Sequence, residues 1–335
     1  MSCPIGFPNK GRVSGKLLAY TGKRFLQALV SVVVASLIIF LVAEALPGDV
    51  AQTILGQYAT EEALNAIRNE LGLNRPLHVR YIDWVSGVVR GDLGESLSKS
   101  GVKVAPFLLR RARNSMILAV GSMILIIPVS FILGILAGLR PGSWFDRLIS
   151  VTTLGLISFP SFITGLILIF IFSVQLGWLP ASSSIDLSEG LLNQLPRIIL
   201  PILALSGVML GYITRHIRAS MIKVLRADYT RAAVLKGVRR RTVIIKHVLR
   251  NALLPAITVI AINLGWLLGG TVVVEATFGF PGMGRLVLNA IQSRDIPLME
   301  AGLLFVVIVY ISVNFGTDIL YSILDPRIRY ERGET

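Results

Sequence analysis

Tyr229-Thr230-Arg231-Ala232-Ala233-Val234-Leu235-Lys236-Gly237 lies in the middle of a basic segment, Arg215 to Arg250, held between two apolar runs, Ile198–Thr214 and Ala252–Val274. The basic segment carries eleven Lys/Arg and one acid, Asp228, whereas the flanking runs carry no charge. A charge at mid-bilayer costs about 2.5–3.5 kcal/mol on insertion scales, so charge-free runs of this length mark membrane helices rather than soluble cores. A loop this basic stays in the cytoplasm, because positive loops resist translocation. Within it, Ala232 and Ala233 fall in what reads as a short helix, and Gly237 follows as its stop signal. A short helix with a small-residue face, pinned between two spans, suits docking into another protein. An ordinary basic loop is the plainer alternative.

Working outward, Phe25–Ala43, Ser115–Leu139 and Leu148–Val174 are also free of charge, and Ala301–Leu324 carries only Asp318. A helix of about 20 apolar residues crosses a hydrocarbon core of about 30 Å. The expectation is therefore an all-α membrane protein with six transmembrane helices. Composition agrees: 16% of the 335 residues are charged, against about a quarter in soluble proteins. The net charge of +14 raises the question of nucleic acid. The basic residues flank apolar runs rather than forming a stripe on a soluble domain, which argues against it. Cys3 is the single cysteine, which excludes an internal disulfide framework and a Cys-based metal cage. With the N-terminus inside, 21 of the 33 Lys/Arg fall in inside segments, and nine of the other twelve share the first outside loop with eight acids. This bias predicts N-in/C-in topology. The expected organisation is a cytoplasmic segment 1–24, a membrane domain 25–330 with an outside loop 44–114 and a basic loop 215–251, and a tail 331–335. Ala43-Glu44-Ala45 also has the small-x-small pattern of a signal cleavage site, but the 19 apolar residues before it exceed a signal core of about 7–15.

In the first outside loop, Thr60 is a candidate N-cap, with Glu61 and Glu62 suited to the helix dipole. Leu64, Ile67 and Leu71 then recur at helical spacing. Pro76 opens a second amphipathic helix with Tyr81, Trp84, Val85 and Val88 on one face. The pair reads either as a compact cap or as a docking surface with Glu61, Glu62 and Arg68 as contacts. The third outside loop, Glu275–Glu300, contains Phe278-Gly279-Phe280-Pro281-Gly282-Met283-Gly284, which forces a turn. Phe280, Pro281 and Gly282 are candidates for a face presented to a partner. The loop either dips towards the centre of the bundle or packs on the spans. Pro128, Pro160, Pro201 and Pro255 can kink or break helices, and Gly265, Gly269 and Gly270 permit close packing.

Chemistry-bearing patterns are sparse. No Gly-x-x-x-x-Gly-Lys-Ser/Thr loop is present to cradle phosphates. His78, His216 and His247 lie outside the expected spans and form no ligand cluster. No nucleophile–base constellation stands out, so no catalytic residue, cofactor site or metal site is expected. Asp318 reads as a helix contact or a residue at a wet mouth rather than as an ion site. Asn263 and Gln175 are candidate pore-lining residues.

An ordered set of motifs along the chain resembles the permeases of the peptide/nickel class of ABC importers, of the dipeptide and oligopeptide permease B type. The set runs from Leu46-Pro47-Gly48-Asp49 through Leu71-Gly72-Leu73-Asn74-Arg75-Pro76-Leu77 and Arg90-Gly91-Asp92-Leu93-Gly94 to Leu176-Gly177-Trp178-Leu179-Pro180. It continues with Tyr229–Gly237, His247–Pro255, Phe278–Gly284, Arg294-Asp295-Ile296-Pro297 and Asp325-Pro326-Arg327-Ile328-Arg329. The resemblance implies a type I ABC importer permease fold. It also implies that Asp228, Tyr229, Arg231, Ala232, Ala233, Lys236 and Gly237 form the segment engaging an ATPase. Arg231 stands where the general importer pattern has Glu. The implied partners are a second permease subunit in a heterodimer, two ABC ATPase subunits that bind ATP and Mg, an extracytoplasmic solute-binding protein and the lipid bilayer. The implied location is a bacterial or archaeal cell membrane, the inner one in a Gram-negative cell. Short peptides are the expected cargo, with nickel complexes, glutathione and oligosaccharides as alternatives within the class. A secondary transporter or channel, or a structural scaffold, are the readings from other classes.

Overall fold

The computed structural model describes residues 10–46, 50–56, 58–98, 101–185, 190 and 192–324. The motif residues 47–49 and 325–329 lie outside the described residues. The chain is helical: α1 (Lys10–Ala45), α2 (Val50–Leu55), α3 (Glu61–Glu70), α4 (Leu77–Val89), α5 (Val104–Leu139), α6 (Trp144–Ser158) and α7 (Ser161–Leu168, continued by a π-helical stretch Ile169–Gln175). Then follow α8 (Leu195–Leu225), α9 (Asp228–Leu235), α10 (Arg240–Thr242, continued by a π-helical stretch Val243–Leu249), α11 (Arg250–Phe278), α12 (Met283–Gln292) and α13 (Ile296–Leu324). Among the described residues four helical segments are long and apolar enough to cross a membrane: Thr21–Ala45, Val104–Leu139, Leu192–Leu225 and Ile296–Ile319. The pair α6 and α7 would make a fifth, but it is bent by 107°. The expected stretch Ala252–Val274 lies within α11.

Two expectations change. Leu148–Val174 is not a straight span, because the chain turns at Phe159–Pro160. Phe159 is extended (φ −96, ψ 129), the conformation that proline favours in the residue before it. Pro128, Pro201 and Pro255 instead stay inside continuous helices. The helices also run past the expected span ends. α1 begins at Lys10, inside the expected 1–24 segment, and α8 continues to Leu225, well into the expected basic loop.

The core is organised around α8, which packs on α5, α6, α7 and α11. Its face Leu205, Met209, Ile213, Ile217 and Met221 is buried at helical spacing. The α5–α8 contact is close because Gly134 and Gly138 stand four residues apart on α5. A Cβ on Gly134 would meet Ile217 Cβ at 2.7 Å, and one on Gly138 would meet Met221 Cβ at 2.5 Å. In a membrane, where lipid is as apolar as leucine, such small-residue seams let helices approach and gain dispersion contacts. Of the three glycines read from α11, Gly265 packs on Tyr310 and Gly270 on Leu205, whereas Gly269 faces no neighbour. We expect Gly138→Leu to prevent α5 and α8 from seating, since overpacking costs about 1–3 kcal/mol even where neighbours can shift. Loss of monodisperse protein on size-exclusion chromatography in mild detergent is the measurement, and a normal profile would contradict the seam.

Candidate functional site

At the α8 C-terminus the chain turns sharply into α9. The turn is fixed by Thr230, 3% exposed, whose hydroxyl donates to the Val224 carbonyl at 2.8 Å. α9 ends as Lys236 N–H donates to Ala232 O and Gly237 N–H to Val234 O, each at 3.0 Å. Gly237 has φ +77, the left-handed conformation that ends a helix and disfavours a Cβ. These bonds present one face of α9 outward: Asp228, Tyr229, Arg231, Ala232, Val234, Leu235, Lys236 and Gly237 are exposed. Leu235 is 87% exposed and Val234 57%. Tyr229 also lines a cleft of about 460 Å³ with Lys223 of α8 and Asn251 and Pro255 of α11. Ala233 behaves differently from the sequence expectation. It is buried in the same cluster as Met221, Val243 and Val248, so its small side chain serves packing within the chain. The result is an exposed apolar tip among Arg and Lys.

Near the same end, Asp146 is 2% exposed and accepts from the Arg218 guanidinium through both oxygens. It also accepts from Gly142 N–H at 2.8 Å, so the α5–α6 turn is tied to α8 just before α9. Asp318 pairs with Arg24 of α1 at 3.2 Å, a helix contact rather than an isolated intramembrane acid.

At the opposite end, Glu275 is buried in the last turn of α11, not in a solvated loop. Its carboxylate accepts from Ser115 Oγ of α5, from Gly284 N–H at 2.7 Å and from Arg285 N–H at 3.3 Å. It therefore caps the N-terminus of α12, where free amides and the helix dipole favour an anion. Met283 N–H donates to Ser115 Oγ, and Asn114 donates to Pro281 O, both at 2.8 Å. Phe280 is fully buried and Gly282 is buried against Glu275. These two residues are thus closed to a docking partner, and the turn packs on the spans. Pro281 is half-buried. The signal missed in the sequence is an acid ending an apolar run seven residues before Gly282-Met283-Gly284, a backbone able to approach a carboxylate closely.

The first loop folds as expected locally. Thr60 caps α3, accepting from Ala63 N–H at 3.3 Å, and Pro76 precedes α4. Glu61 and Glu62 are exposed, while Arg68 is half-buried, donates to Asn65 and pairs with Glu61. The apolar face of α4 is used on α1: Tyr81 and Trp84 pack on Phe40 with ring centroids 5.4 and 6.1 Å apart. The end of the loop is held by Asp295, fully buried, which accepts from the Ser96 and Ser98 hydroxyls and from the Leu97 and Ser98 amides. Burial raises the Asp295 carboxyl, but these donors outweigh it and hold the group below its ordinary value. A depressed carboxylate contributes stability that is present above its unfolded pKa and lost as pH falls through the folded one. We therefore expect Asp295→Asn to lower the unfolding temperature at neutral pH, with the gap to wild type closing below about pH 4. Thermal unfolding across that range is the measurement, and a gap that persists in acid would contradict the assignment.

Asn263 donates to Val259 O of its own helix at 2.7 Å, and Gln175 is exposed at the end of the π-helical stretch. Neither arrangement marks a path. No group of His, Cys, Asp or Glu able to hold a metal ion occurs among the described residues.

Comparison with known proteins fits this geometry. Residues 130–330 match the family described as binding-protein-dependent transport system inner membrane component, and residues 17–108 match the corresponding N-terminal family. A probable peptide ABC transporter permease protein of Sinorhizobium fredii is 37% identical over 311 residues, covering 93% of this chain and 99% of that one. The glutathione transport system permease protein GsiC of Escherichia coli is 36% identical over 315 residues, covering 94% of this chain and all of that one.

Proposed function

Because the chain belongs to the family of binding-protein-dependent transport system inner membrane components, we propose that this ABC importer permease forms half of a translocation pore for short peptides. The single observation that carries the mechanism is α9: a short helix anchored by Thr230 and Ala233, with Tyr229, Val234 and Leu235 turned outward amid basic residues. In this reading α9 seats in an ATPase subunit, and ATP-driven closure of two such subunits is transmitted through α8 to the bundle. A second permease completes the pore, and ATP and Mg bind to the ATPase chains. The permease itself does no covalent chemistry. Six spans with both termini in the cytoplasm place α9 inside and α3, α4 and α12 outside, where a solute-binding protein delivers cargo. The location is the cell membrane of a bacterium or archaeon, the inner one where there are two.

Peptides are favoured as cargo because the relatives named above handle a peptide and glutathione, which share an amide backbone. The test is uptake into proteoliposomes. ATP-dependent accumulation of a di- or tripeptide that requires added ATPase chains and the binding protein is expected. Flux without them would instead indicate a secondary transporter or channel. Orientation is checked with single cysteines in a Cys3→Ser background: one at Ser98 should react with an impermeant thiol reagent added outside, and one at Thr242 should not.

A further inference from the structure

One buried carboxyl group at the α3–α4 end has no partner. Glu300, one turn into α13, is 4% exposed and makes no hydrogen bond or ion pair among the described residues. It opens into a cleft of about 220 Å³ that it shares with Phe40, Glu44, Arg80, Asp83 and Trp84. The other acids there are matched. Asp83 pairs with Arg75 at 2.7 Å, and Glu44 is held by Arg80 through contacts of 2.5 and 2.7 Å. Burial disfavours a charge on Glu300, and Glu44 opposes it further, while Arg80 favours it. One guanidinium cannot neutralise two carboxylates, and a buried carboxyl left without a cation holds its proton instead.

A single cation brought beside Glu300 would let it ionise and pair. A metal ion is disfavoured, since no cluster of metal-ligating side chains occurs here among the described residues. The shape narrows the choice further. A carboxyl this buried is reached by a slender stem, and the walls offer apolar cover from Leu71, Leu97 and the stacked rings of Phe40 and Trp84. A lysine meets both demands, with methylenes to lie along apolar walls and an ammonium for the carboxylate. We infer that this cleft receives a lysine side chain of the extracytoplasmic protein that docks on this end of the permease. The inference rests on the importer reading above, and its charge complementarity is specific: one unpaired acid, one ammonium.

The test uses the assembled transporter in lipid nanodiscs, wild type and Glu300→Gln. Trp84 fluorescence is titrated with N-acetyl-lysine methylamide and with its neutral norleucine counterpart, and Trp84→Phe identifies the cleft signal. Saturable binding of the lysine probe alone is expected, lost in Glu300→Gln. The concentration of binding protein that half-saturates ATPase stimulation should rise about tenfold in Glu300→Gln, the loss of roughly one charge-assisted hydrogen bond. Basal ATPase should be unchanged. Without partner, the variant should unfold at the same or a higher temperature, because Gln replaces a buried carboxyl that no donor holds, whereas a merely structural acid would give the opposite shift. Stimulation that is intact in wild type and unchanged in Glu300→Gln overturns the docked lysine while leaving the importer reading standing. If the probe still binds in that case, the cleft serves a free ammonium solute. Failure of the binding protein to stimulate even the wild type removes the importer reading and the docked lysine together.

Discussion

Leu235→Asp is expected to strip the ATPase subunits from the complex and abolish ATP-driven uptake, while the permease still folds and inserts. Leu235 is 87% exposed at the tip of α9, so the change disturbs nothing within the chain. Burying a leucine at an interface contributes about 1.5–3 kcal/mol, and an unpaired carboxylate in its place adds a desolvation penalty. Together these predict at least about a hundredfold loss of affinity. Tyr229→Ala should act in the same direction, since aromatic anchors dominate interfaces. Ala233→Asp should behave differently. That side chain points into the cluster of Met221, Val243 and Val248, so the carboxylate would be buried inside the permease and the yield of folded protein would fall. Co-purification of ATPase chains with tagged permease, read beside the yield of monodisperse permease, separates the two. Full assembly and transport by Leu235→Asp would mean that α9 is not the coupling element.

The contrast between Leu235 and Ala233 also shows how far the sequence could be read. The existence of α9 and its glycine stop followed from small residues and a breaker between two apolar runs. Its facing did not, because two adjacent alanines lie about 100° apart on a helix and nothing local says which meets the bundle. The all-helical class and most span positions were legible, since charge-free length is a direct physical requirement of lipid. The turn of 107° at Phe159–Pro160 was only half legible. Proline marks a possible break, yet Pro128, Pro201 and Pro255 stay within helices, and only tertiary packing distinguishes the cases. The buried acids were the least visible. Glu275, Asp295 and Asp146 owe their roles to donors distant in sequence: Ser115, Ser96 to Ser98, and Arg218. Read locally, each is simply an acid at the edge of an apolar run.

Of these, Glu275 supports the largest structural effect. Glu275→Ala leaves Ser115 Oγ and the Gly284 and Arg285 amides without their acceptor, and each buried donor left unsatisfied costs about 1–3 kcal/mol. Loss of several kcal/mol should free α12 from α5 and α11 and end transport, with a lower unfolding temperature. Gly282→Ala should reproduce this by another route. Its Cβ would stand 2.1–2.4 Å from the Glu275 carboxylate, so the carboxylate must leave its donors. The two changes therefore destroy one interaction and should not add: Gly282→Ala in a Glu275→Ala background should cost little more than Glu275→Ala alone. Gly284→Ala supplies the control. Its Cβ would meet Val272 Cα at 2.3 Å, a clash with backbone that persists whether or not Glu275 is present, so its cost should add in full. Thermal unfolding of the purified single and double variants gives both comparisons. Additivity of Gly282→Ala with Glu275→Ala would show that the turn is closed by backbone packing alone, and that the carboxylate does not hold α12 in place.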